Sequence, residues 1–134
     1  MSLTSLERAV ELRGGRRLVF TNGVFDIVHA GHIDSLHRAR AMGDLLFVGL
    51  NSDESVRRLG KGPERPINTL HDRAAVLQAI RYVDAVIVFE EDLPLRLIHA
   101  LKPEVYVKGG DYQIDKLPET PIVQGYGGEV IVLP

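Results

Sequence analysis

Three observations predict an α/β domain built on a five-stranded parallel sheet with helices on both faces. Some short runs are apolar at every residue, as in Leu45-Leu46-Phe47-Val48-Gly49-Leu50, which suits strands covered on both sides. These runs alternate with segments of helical periodicity, which argues for right-handed βαβ crossovers. Glycine-containing loops follow strand ends, on the edge where open α/β sheets bind ligands. A chain of 134 residues buries one proper core, so a single domain over residues 1–134 is expected.

The elements follow in order. Thr4 and Glu7 have capping-box spacing, and Leu6, Val10 and Leu12 give an apolar side, so a short helix is expected from Ser5 to Arg13. Arg17 to Thr21 reads as the first strand, and Gly31 to Met42 as a helix stopped by Gly43. After the second strand, Asn51-Ser52-Asp53 offers cap chemistry to a short helix through Val56 and Leu59. Gly60 to Asn68 is too rich in glycine and proline for regular structure. Thr69 and Asp72 open a further helix with Val76, Leu77 and Ile80 on its buried side. Ala85 to Phe89 is the third strand. Pro94 then starts a helix carrying Leu95 and Ile98, with Glu90-Glu91-Asp92 at its positive end. Val105-Tyr106-Val107 and Val130-Ile131-Val132-Leu133 complete five strands, the last entered by a turn at Gly125-Tyr126-Gly127-Gly128. The architecture is Rossmann-like.

Composition narrows the function. Sixteen basic against eighteen acidic residues leave a net charge of −2, which does not indicate a nucleic-acid surface. No cysteine is present, so disulfides, a thiolate nucleophile and cysteine zinc sites are out. No apolar run reaches the roughly 18 residues of a membrane helix, and no signal-peptide core is seen. A soluble, cytoplasmic protein is expected. Dinucleotide-redox, P-loop and serine-elbow motifs are missing too.

The most informative stretch is Thr21-Asn22-Gly23-Val24-Phe25-Asp26-Ile27-Val28-His29-Ala30-Gly31-His32, a strand end, a loop and a helix start. Free backbone N–H groups and the positive helix end meet an anion at such a place. His29 and His32 have three readings: metal ligation with Asp26, simple helix capping, or phosphate binding, with Gly31 letting backbone approach the ligand. Phosphate binding fits best. His37, His71 and His99 lie in helical patterns and read as surface residues. Arg57, Arg58, Lys61 and Arg65 form the one cationic stretch, either a solvated loop or a clamp closing over phosphates. Lys108-Gly109-Gly110-Asp111-Tyr112 follows a strand end. It is either a plain turn or a site where glycine backbone meets base or sugar and Asp111 accepts from hydroxyls.

The first motif resembles the T-x-G-x-F-D-x-x-H-x-G-H signature of the cytidylyltransferase-like nucleotidyltransferases. Asn51-Ser52-Asp53, Lys61 to Ile67 and Lys108 to Tyr112 resemble the heptose 1-phosphate adenylyltransferase branch, and the likeness runs from Ser5 to Pro134. The resemblance implies adenylyl transfer from ATP to D-glycero-β-D-manno-heptose 1-phosphate, with catalytic roles for His29, His32 and Lys61. It places Thr21, Asn22, Gly23, Phe25, His29, Gly31, His32 and Arg73 on the nucleotide. Asp26, Lys61, Arg65, Lys108, Gly109 and Asp111 fall on the sugar phosphate, Asp26 chiefly as a residue that orders the loop. It further implies Mg2+ held mainly by substrate phosphates, no metal ligands from the protein, and a homodimer. Rival readings are a glycerol 3-phosphate or ethanolamine phosphate cytidylyltransferase, a guanylyl-transferring heptose enzyme, and a non-catalytic nucleotide-binding protein. Members of the branch usually carry an S/T-T phosphate-binding segment after the last strand; the sequence stops at Pro134 where that segment would begin, so either it is cut short there or the triphosphate site lacks a piece.

Overall fold

The computed structural model describes residues 3–60 and 62–134. Twelve segments of regular structure form one doubly wound unit. Helix α1 (Leu6–Arg13) leads into β1 (Leu18–Gly23), then α2 (Ala30–Arg40), β2 (Leu45–Asn51), α3 (Asp53–Arg58) and α4 (Leu70–Gln78). Strand β3 (Ala85–Phe89), α5 (Leu95–Leu101), β4 (Val105–Gly109), a 3-10 turn (Ile114–Lys116), α6 (Thr120–Gly125) and β5 (Glu129–Leu133) follow. All five strands pair in parallel in the order β3-β2-β1-β4-β5.

That order reverses between β1 and β4, and the two faces are covered accordingly. Leu36 and Ala39 of α2 and Ala74 and Leu77 of α4 pack on Val19, Leu46, Val48 and Val86. Ala9 of α1, Leu97, Ile98 and Leu101 of α5 and Val123 of α6 pack on Phe20, Phe47, Ile87 and Tyr106 of the opposite face. Every residue of β2 is buried, as expected for the strand between two neighbours and two helical layers.

Several expectations need correcting. Ser5 rather than Thr4 caps α1, its hydroxyl accepting from Arg8 N at 3.1 Å. Val10 and Val76 are 42% and 48% exposed, and Ala9 and Ala74 are buried in their helices beside the expected Leu77. Strand β1 runs on to Gly23, and α2 begins at Ala30 and ends at Arg40. The 3-10 turn and α6 add to the expected elements. Their stretch carries two prolines, Pro118 and Pro121, and no clear period, and α6 has only six residues. No helix of the described residues is long and apolar enough to cross a membrane.

Candidate active site

The carboxyl ends of β1 and β4 open onto a crevice of about 970 Å³ at the point where strand order reverses. Thr21, Asn22, Gly23, Phe25, Asp26, His29, Gly31, His32, Arg65, Lys108 and Gly109 all line it. The structure thus brings most of the sequence-derived site residues to one place.

The histidine pair is built by the helix start itself. His29 is the N-cap of α2, and its Nδ1 accepts from Gly31 N at 3.0 Å. His32 Nδ1 accepts in turn from His29 N at 3.2 Å, closing a reciprocal capping box. The rings lie 4.2 Å apart. Backbone donors at both Nδ1 atoms dictate the neutral tautomer with the hydrogen on Nε2. Capping and ligand binding are therefore compatible, because each job uses a different ring nitrogen. A Cβ on Gly31 would come within 2.8 Å of His29 Cε1, so any side chain there displaces the capping ring. Burial of His32, and then the charge of neighbouring His29, lower its pKa below the usual 6.5. Phe25 turns the loop in left-handed backbone, φ 51°, and its ring lies 5.7 Å from that of His32. Such a conformation is costly for a non-glycine residue and recurs at ligand sites.

Asp26 fastens the glycine- and proline-rich loop before α4 to the signature. Its carboxylate accepts from Arg65 Nη1 and Ile67 N at 2.9 Å and from Asn68 N at 2.8 Å, while its carbonyl accepts from Asn68 Nδ2 at 2.6 Å. Burial opposes ionisation, but those donors outweigh it and hold the carboxyl below the usual carboxylate range. Both oxygens are therefore committed to the loop, and Arg65 meets the crevice while paired. Lys61 lies outside the described residues.

Arg73 does not sit where the resemblance puts it. It is 1% exposed and lies outside the crevice lining. Its Nε donates to Asn68 O, Nη1 to Val24 O and Asn51 O, and Nη2 to Asp53 Oδ1 at 2.7 Å. Guanidinium donors that already meet four acceptors make it a strut between the loops rather than a phosphate ligand. Thr21 is likewise tied inward, its hydroxyl donating to Val107 O at 2.7 Å across the β1–β4 pair. Arg57 and Arg58 pair with Glu54 and Asp92, so they leave the expected clamp. Asp111 is exposed and outside the lining, and Tyr112 stands in the crevice instead.

Lys108 lies 5.0 Å from the Tyr112 ring centroid, half-buried, and pairs with no carboxylate among the described residues. Gly110 makes that turn with φ 113°, a region side chains avoid. Asn22 meets the hydroxyl of Tyr106, which donates to its Oδ1. Tyr112, Leu59 and Leu93 are crevice residues that sequence reasoning gave no role. For Tyr112 a signal existed, an aromatic directly after a glycine turn at a strand end. No group of three or more histidine, cysteine or acidic residues able to hold a metal occurs among the described residues.

Comparison with known proteins agrees with this geometry. The cytidylyltransferase-like family pattern matches residues 20–130, from the core of β1 into β5. The chain belongs to the cytidylyltransferase-like family. It is 56% identical over 119 residues to a D-beta-D-heptose 1-phosphate adenylyltransferase of Bordetella bronchiseptica, covering 89% of this chain and 74% of that one. It is 58% identical to the bifunctional protein HldE of Mesorhizobium japonicum, over 89% of this chain but only 24% of that relative. The chain thus spans about a quarter of the length of the bifunctional relatives. A lipopolysaccharide core biosynthesis protein from Thermoplasma volcanium superposes with TM-score 0.75 at 28% identity, over 90% of this chain and 98% of that one. Pantothenate synthetase from Thermus thermophilus shares the fold, with TM-score 0.70 at 16% identity over 98% of this chain and 60% of its own.

Proposed function

We propose that this nucleotidyltransferase moves an adenylyl group from ATP to D-glycero-β-D-manno-heptose 1-phosphate, giving ADP-heptose and pyrophosphate. The observation that carries the reading is the reciprocal histidine cap at the mouth of the crevice, in a chain 56% identical to a heptose 1-phosphate adenylyltransferase. An oxygen of the sugar phosphate attacks the α-phosphorus in line. The bond from that phosphorus to the bridging oxygen breaks, and its electron pair leaves with pyrophosphate. The nucleophile is already an anion, so no protein base is required. Catalysis rests on alignment and on donors aimed at the charge that builds on phosphorus and leaving group.

His29 and His32 supply those donors from Nε2, beside the positive start of α2. Lys108 and the paired Arg65 face the sugar phosphate, with Gly109 leaving backbone accessible to it. Lys61 stays a candidate third catalytic group. Magnesium, carried on the triphosphate, would supply charge neutralisation there. Asp26 and Asp92, the carboxylates on the crevice lining, are engaged by Arg65 and Arg58, which fits a metal that rides on the substrate. The reading extends to a cytoplasmic homodimer.

The test is pyrophosphate release with magnesium, offering ATP or CTP against heptose 1-phosphate or glycerol 3-phosphate. Release with ATP and the heptose phosphate alone supports the reading. Release with CTP and glycerol 3-phosphate would overturn the substrate assignment, and nucleotide binding without release from any pair would overturn the activity.

A further inference from the structure

We propose that Glu119 is a positioning residue that acts through Tyr106 on the amide of Asn22, turning the Asn22 carbonyl toward the crevice as an acceptor for a substrate N–H or O–H. The inference rests on the adenylyl-transfer reading. It starts from an orphan: Glu119, directly before α6, is 1% exposed and neither carboxylate oxygen has a hydrogen-bond donor. A buried carboxylate in that state destabilises the fold, so its presence calls for a reason.

The neighbour that can serve it is the Tyr106 hydroxyl. Tyr106 is wholly buried in β4, its ring stacked 6.2 Å from Phe20. Burial, and next the charge of Glu119, hold its proton firmly on the phenol. Its one hydrogen thus stands between two acceptors, Asn22 Oδ1 and Glu119. With the hydrogen on Asn22, the carboxylate goes without. A hydroxyl bond to a carboxylate is about twice as strong as one to a neutral acceptor. The Asn22 amide can turn through half a revolution within its own outline. Only one direction then satisfies all three groups: Asn22 Nδ2 donates to Tyr106 Oη, and Oη donates to Glu119. Asn22 sits where the strand order reverses, and in this arrangement its Oδ1 faces the crevice.

The consequence separates two kinds of contact. The histidine pair donates, and suits phosphate oxygens. Asn22 accepts, and suits a hydroxyl of ribose or sugar or an exocyclic amine of the base, but not a phosphate. The buried carboxylate sets that polarity.

Glu119→Gln brings its own donor to Tyr106, frees the phenolic hydrogen for Asn22 Oδ1 and lets the amide reverse. The expected result is a folded protein with a melting temperature equal to or above wild type. The KM for ATP or for the sugar phosphate rises about tenfold, the worth of one hydrogen bond, with a smaller change in kcat. Tyr106→Phe breaks the same relay and should raise the same KM, and the double variant should be no worse than the poorer single one. Both KM values within twofold of wild type in folded Glu119→Gln and Tyr106→Phe would overturn the proposal. So would a lowered melting temperature with unchanged KM values, which marks a structural role only. A wild type that releases no pyrophosphate sinks the transfer reading alone. The relay is then judged by calorimetric dissociation constants for ATP and heptose 1-phosphate, where tenfold weakening of either supports it and equality of both overturns it.

Discussion

The two edges of the sheet use charge in opposite ways. At the amino edge, polar groups lock strands to one another. Arg13 bonds Leu101 O, Lys102 O, Arg16 O and Glu104, and Glu104 also accepts from Leu18 N at 2.7 Å. Asp44 and Asp84 accept in the same manner from Arg17 N and Leu46 N, where strands begin. At the carboxyl edge, donors are aimed outward, with two Nε2 atoms and Lys108 facing a crevice. Helix starts and strand ends converge on that edge because all five strands run parallel and the connecting helices return the chain. The same polar residue types therefore hold the fold at one edge and leave capacity for a ligand at the other. Arg73 belongs to neither edge in character: it lies beside the crevice and behaves like the lock.

That contrast can be broken in steps. The largest loss of stability is expected for Arg73→Met, which strands buried carbonyls and Asp53; chemical denaturation should show a loss of about 3–5 kcal/mol. A smaller effect with strongly weakened nucleotide binding would move Arg73 into the site. His32→Ala should act the other way, lowering kcat by a factor on the order of 10²–10³. The same substitution should cost only about 1 kcal/mol of stability through the lost cap. Full turnover in a folded variant would remove His32 from the chemistry.

Asp26→Asn should cost about 1–3 kcal/mol, because two backbone donors lose a carboxylate acceptor. Amide exchange should quicken at Ile67 and Asn68 and stay unchanged at Leu18 and Leu46. Since the folded pKa of Asp26 is lowered, its contribution is present above the usual carboxylate range and is lost as pH falls through the lower folded value. The smallest effect is the titration of His32. Its lowered pKa favours the neutral ring, so its contribution is complete above 6.5 and fades as pH falls through the folded value. An NMR titration should place the midpoint below that of an exposed histidine, and a bound polyphosphate should raise it.

Much of this was legible from residue types alone. Fully apolar runs identify β2 and β3, and the signature marks the crevice. What stayed hidden depends on partners distant in sequence. Arg73 reads as a cation for phosphate until Val24 and Asn51, 49 and 22 positions away, are seen to accept its hydrogens. Glu119 carries no local signal of its burial, which is only 1% short of complete directly before α6. Val10 and Val76 illustrate the same limit on a helix, where the phase turns Ala9, Ala74 and Leu77 inward and the two valines outward.

The most direct test of the account is 15N NMR of the histidine side chains, with and without ATP. The account predicts that His29 and His32 both carry hydrogen on Nε2 and none on Nδ1, and that ATP shifts both Nε2 resonances. Hydrogen on Nδ1 of either ring, or Nε2 resonances unmoved by saturating ATP, would contradict it.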